Sequence, residues 1–99
     1  MLTPYTVTFT AEVWLYPGET ASWHFITLPR KESDAIKLRS GPTRRGWGAL
    51  KVTATIRSTS WQTSIFPDKT RGYLLPLKAD VRKKEKLAVG QRVEVKIEL

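Results

Sequence analysis

The sequence has no cysteine among its 99 residues and only one histidine. The first absence excludes a disulfide framework, a thiolate nucleophile, a zinc knuckle and an iron–sulfur cluster. It is compatible with a reducing compartment. The second leaves a serine nucleophile a single candidate base, His24. Long apolar runs are also missing, and none approaches the roughly 18 residues of a membrane span. Met1-Leu2-Thr3-Pro4 carries neither a charged nor an apolar leader pattern, so no secretory signal is expected. The expected location is cytoplasmic, with no membrane partner. Internal repeats and low-complexity linkers are absent as well. A length near a hundred residues suits one compact domain, expected to span residues 1–99.

Basic charge is missing from one part of the chain and concentrated in the rest. The formal net charge is +8, yet residues 1–29 hold Glu12 and Glu19 and no Lys or Arg. Two basic clusters follow, Arg44-Arg45 among glycines and Arg82-Lys83-Lys84 with Lys86. Such clusters attract phosphate backbones or acidic surfaces. Lys and Arg also keep a small domain dispersed and blunt its strand edges. The uneven distribution reads as a solvated domain with one or two anion-binding corners.

Alternation dominates what is present. Tyr5, Val7, Phe9, Ala11, Val13 and Leu15 share one parity, against Thr6, Thr8, Thr10 and Glu12 on the other. This is the pattern of a half-buried strand. A second strand is predicted over residues 21–28, with apolar groups on both parities, so its inward face stays open. A short helix is predicted over 30–40, with Ser33 as N-cap and Asp34 in its first turn. Further strands are predicted over 50–56, 61–66 and 73–78, the last being an edge strand or ending at Pro76. A second short helix is predicted over Val81–Leu87, capped by Asp80, with a turn at Gly90. Val93, Val95, Ile97 and Leu99 then alternate inward. Six short strands and two short helices predict an all-β fold, a small closed or partly open β-barrel.

Acid–base chemistry is poorly supplied. His24 lies in a strand between Trp23 and Phe25, and Asp34, Asp68 and Asp80 show no ligand spacing. No catalytic residue, metal or cofactor is expected. Gly46-Trp47-Gly48 leads into a strand and lacks the spacing of a P-loop. Its backbone N–H groups beside Arg44 and Arg45 still suit an anion. Trp14 and Tyr16 fall on the polar parity of the first strand, an arrangement that suits stacking on flat ligands. Trp23 and Trp61 are expected in the core or plugging a barrel end; Trp14 and Trp47 are left open between surface and core.

The ordered set Trp23-His24-Phe25-Ile26-Thr27-Leu28-Pro29, a short helix with Ser33 and Ile36, Lys51 to Ile56, Trp61 to Pro67, Gly72 to Lys78, and Val81-Arg82-Lys83 with Val89 to Val95 resembles one bacterial family. It is the family numbered nineteen-oh-five in the domain-of-unknown-function series. The resemblance covers nearly the whole chain. It implies a small closed barrel, found alone or fused to a domain associated with bacteriocin protection, and it brings no catalytic residues. One departure stands out: Arg57-Ser58-Thr59-Ser60 occupies a hairpin where that family usually has glycine, which puts the tightness of the turn in question. A partial resemblance links Leu75 through Val95 to AbrB/MazE-type swapped-hairpin antitoxins, whose basic residues touch DNA on a dimeric barrel.

These readings converge on a non-enzymatic binding module for an anionic ligand, held at a basic loop face of Arg44, Arg45, Trp47, Lys69 and Arg71. The alternative is a nucleic-acid binder using Arg82, Lys83, Lys84 and Lys86. An enzyme of unknown type is the second alternative.

Overall fold

The computed structural model describes residues 5–16, 23–40, 49–68 and 70–99. Six strands and two helices follow in the order β1 Thr6–Tyr16, β2 Trp23–Thr27, α1 Arg30–Ser40, β3 Leu50–Ile56, β4 Thr59–Asp68, β5 Gly72–Pro76, α2 Ala79–Glu85 and β6 Arg92–Glu98. The strands close into an antiparallel barrel ordered β1-β2-β5-β4-β3-β6. The predicted all-β barrel with six strands and two short helices is therefore the observed fold.

Two long strands make closure possible. β1 pairs with β6 from Thr6 to Glu12, then with β2 from Val13 to Tyr16. β4 pairs with β3 from Thr59 to Ile65, then with β5 from Phe66 to Asp68. Each strand thus turns a corner of the barrel and joins the β1-β6-β3-β4 part of the wall to the β1-β2-β5-β4 part. Val13, Ile26, Ile65, Leu75, Val95 and Ile97 point inward, all fully buried. Burying such a side chain stabilises the fold by roughly 1.5–3 kcal/mol.

The helices sit by opposite ends of β5. α1 packs against β5, burying Ile36 in the same core cluster as Leu28. Ser33 is not the N-cap, because α1 starts at Arg30. It is buried inside the helix, where its hydroxyl donates to the Leu28 carbonyl (3.2 Å) and accepts from the Tyr73 N–H (3.1 Å). The acid in the first turn is Glu32. Gly72 lies under this stitch with φ +94, and a Cβ there would stand 2.7 Å from the Ser33 hydroxyl. Glycine is required at that position on both counts.

α2 starts two residues earlier than the sequence pattern indicates. Its N-cap is Lys78, in extended conformation and without a side-chain cap, while Asp80 lies in the first turn. There the carboxylate still complements the helix dipole. Lys86 takes the left-handed conformation (φ 54) and ends the helix before Leu87. Gly90 (φ +92) makes the expected turn. Two residues predicted to face inward at strand ends do not stay buried: Leu15 is 43% exposed and Leu99 37%. Both lie where the barrel wall runs out. No helix among the described residues is long and apolar enough to cross a membrane.

Candidate functional site

β2 settles its open face through burial of Ile26, with Leu28 following on the same side. Trp23 and Phe25 consequently point outward, and Trp23 is 58% exposed. This corrects the expectation that Trp23 fills the core or a barrel end. Trp61 does pack, partly buried, against the core.

The register of β1 on β2 then assembles rings on the outside of the barrel. Trp14 stands opposite Phe25, and Tyr16 opposite Trp23. Ring centroids lie 5.4 Å apart for Trp14–Phe25, 5.9 Å for Trp14–Tyr16 and 6.4 Å for the nearly parallel Trp23–Phe25 pair. The indole N–H of Trp14 donates to the Thr27 hydroxyl at 2.8 Å, which fixes its plane. Polar tethering of one ring edge leaves the faces to other partners.

One of those partners is Arg71. Its guanidinium carbon lies 4.9 Å from the Trp14 ring centre and 6.0 Å from that of Tyr16, within range of a cation–π contact. Asp68 positions it. One carboxylate oxygen accepts from the Thr70 N–H (2.9 Å), the Thr70 hydroxyl (3.0 Å) and the Arg71 N–H (3.0 Å). The other meets the Arg71 guanidinium at 3.4 Å. The Thr70 and Arg71 backbone N–H groups are the main reason that Asp68 is held below its ordinary acidity range. One guanidinium nitrogen faces Asp68.

On the other flank of the rings lies an open trough of about 790 Å³. It starts at Trp23 and Phe25, crosses Leu74 and Phe66, and continues to Glu98 and Leu99. Lys51 and Lys78 contribute its cations, and both are exposed.

Of the basic loop face expected from sequence, Arg71 is the described member, and Arg44, Arg45, Trp47 and Lys69 lie outside the described residues. The alternative basic helix divides. Arg82 is half-buried, and its Nε donates to the Leu77 carbonyl at 3.3 Å. Lys83 and Lys84 are exposed on α2, and Lys86 is the residue that ends it. His24 has the inward parity of Ile26 on β2. Among the described residues no group of three His, Asp or Glu side chains is placed to hold a metal ion.

A second polar constellation serves the fold. Glu85, at the end of α2, is only 9% exposed. Its carboxylate accepts from the Thr59 hydroxyl and, at 3.2 Å, from the Ser58 hydroxyl. Arg57 donates to the Glu85 backbone carbonyl at 2.6 Å. The Thr59 hydrogen bond is the main reason that Glu85 is held below its ordinary acidity range. This clasp ties α2 to a two-residue turn, closed by the Ile56–Thr59 pair, in which Arg57 takes φ 55. The hairpin is thus tight without the glycine.

The outer rings were missed as a group in the sequence because they come from two strands whose relative register no spacing reveals. The signal that was available was the polar parity of Trp14 and Tyr16.

Fold and surface together define a small single-chain β-barrel, closed by its own six strands and carrying a ring-rich outer face. β6 pairs with β1 and β3 of the same chain, so closure needs no second copy. The chain belongs to the family described as Domain of unknown function (DUF1905), whose model matches residues 9–97. No curated protein matches the chain.

Proposed function

We propose that this domain is a non-enzymatic binding module for an anionic ligand that carries a planar ring. The observation that carries this reading is the Arg71 guanidinium lying 4.9 Å over Trp14, next to exposed aromatic rings. A guanidinium set beside stacking faces suits a ring and a negative charge on one molecule. The non-enzymatic part rests on the single histidine, the absence of cysteine and the engagement of two of the nine carboxylates. Asp68 is occupied by loop hydrogen bonds and Glu85 by the clasp. The reading keeps Arg44, Arg45 and Lys69 of the basic loop face as further sources of positive charge and Trp47 as a further ring.

The test is a tryptophan-fluorescence titration with adenosine monophosphate, run beside inorganic phosphate. Quenching that saturates with the nucleotide, and that Arg71→Ala weakens by at least several-fold, is the expected result. Equal binding of phosphate and nucleotide, or no response to the nucleotide at millimolar concentration, overturns the reading.

A further inference from the structure

Resting on that reading, we propose that the ligand is a polymer: a single-stranded nucleic acid lying in the outer trough, with bases stacked on Trp23 and Phe66 and phosphates near Lys51 and Lys78.

The first argument is reach. The trough starts on β2, crosses β5, β4 and β3, and ends at Glu98 and Leu99 of the β6 segment. Four inter-strand steps of about 4.8 Å make a path of roughly 19 Å. A single nucleotide occupies only part of such a path. The second argument is the repetition of flat surfaces. Trp23 and Phe25 lie nearly parallel, at 13°, on the outer face of β2, and Phe66 follows across β5. Trp23 is 58% exposed and Phe66 45%. Stacking platforms that follow one another across a sheet, interleaved with cations, are how single strands are held without sequence readout.

Charge selects among occupants. Lys51 and Lys78 come from separate elements, β3 and the segment before α2, and Glu98 is the acid among the described residues of the trough. Two spaced cations fit a repeating anion better than one phosphate. A second copy of the chain would bring a net charge of +8 against +8, which opposes self-association through this face. A duplex hides the faces of its bases, so it cannot use the rings. An acidic peptide would satisfy the lysines but leave the ring faces without flat partners.

The test measures fluorescence polarisation of labelled oligothymidylate of about twelve nucleotides, a length within the usual single-strand site sizes. Arms with the duplex form, adenosine monophosphate and poly-glutamate run in parallel. Binding of the single strand tighter than of the other three is expected. Trp23→Ala is expected to weaken it roughly five- to hundred-fold. Phe66→Ala is a second exposed-ring variant and keeps the test independent of any folding defect at Trp23. Removing both lysines is expected to reduce the slope of log affinity against log salt by about 1.4. Duplex binding equal to single-strand binding and insensitive to Trp23→Ala and Phe66→Ala overturns the proposal, as does poly-glutamate binding of equal strength. Adenosine monophosphate bound as tightly as the oligomer also overturns it, and leaves the binding-module reading standing. No binding of either overturns both.

Discussion

The Glu85 clasp and the outer ring cluster show two ways in which a small barrel uses its side chains. At the clasp, a nearly buried carboxylate meets two hydroxyls, and an arginine reaches the adjacent backbone carbonyl. Arg57 and Ser58 come from the turn between β3 and β4 and Thr59 from the first residue of β4, so the constellation completes itself. At the rings, large apolar surfaces stand in solvent with one polar edge tethered and one cation laid across them. Matched buried polar groups hold a structure together. Exposed rings that burial does not require are where a partner has something to gain. The contrast separates the residues that keep the barrel closed from those left for an outside molecule.

The closures should break first. Gly72→Ala places a Cβ against Ser33 and forces an L-residue to φ +94. The left-handed conformation alone costs roughly 1–2 kcal/mol. Losing the Ser33 bonds to Leu28 and Tyr73 adds to that, for a total of about 2–4 kcal/mol. Chemical denaturation should show this as a lower midpoint with an unchanged slope. A loss below about 0.5 kcal/mol would mean that the stitch is not a closure. Thr59→Val comes next. It deletes the main donor to Glu85 and should lower the melting midpoint by several degrees. Ser58→Ala should cost less, because Ser58 is exposed and Thr59 buried.

Acid provides the next effect in size. Glu85 and Asp68 are both held below their ordinary values of 4.5 and 3.8 in the folded protein. A depressed carboxylate contributes stability that is fully present above the ordinary value and is lost as the pH falls toward the folded one. Stability should therefore be level above about pH 5 and decline below it. Thr59→Val should flatten the part of that decline due to Glu85, and Asp68→Asn the part due to the loop. Thermal melts of wild type and both variants between neutral pH and about pH 3 check this. Identical slopes in all three would remove the clasp from the account.

Much of the frame was legible in the sequence, because alternation is a direct consequence of a strand with one buried face. Val93, Val95 and Ile97 needed no more than that. The turn at Gly90 was legible from backbone chemistry, whereas Pro76 left an edge strand or a strand end open, and pairing of β5 on both sides decides for the end. The inward face of β2 was not, since His24, Ile26 and Leu28 compete with Trp23 and Phe25 for the core on equal terms of hydropathy. Only closure against β1 and β5 decides it. The start of α2 was displaced because Lys78 caps it through backbone geometry alone, a feature without a residue signature. Ser33 resembled a cap because serine favours helix starts, whereas here it serves a hydrogen bond forty residues away. The ring cluster depends on β1 changing partner at Val13, and a strand's parity is silent about which neighbour it meets. Four of the five expected loop-face residues lie outside the described residues, and Arg71 reached the site through contact with Trp14, which spacing could not have shown.

The smallest effect on stability is also the one that most sharpens the contrast. Trp23 is more than half exposed and lies on the outer face, where it contributes a cross-strand pair with Tyr16 and a stack with Phe25. Such pairs are worth roughly 0.2–1 kcal/mol. Trp23→Ala should therefore cost less than about 1 kcal/mol, visible as a fall in midpoint of no more than a few degrees. If the same variant loses the single-strand binding assigned to this face while the fold barely responds, the ring belongs to the partner and not to the barrel. A loss above about 2 kcal/mol would place Trp23 with the core. The outer rings would then be one more closure, built like the Glu85 clasp to serve the fold alone.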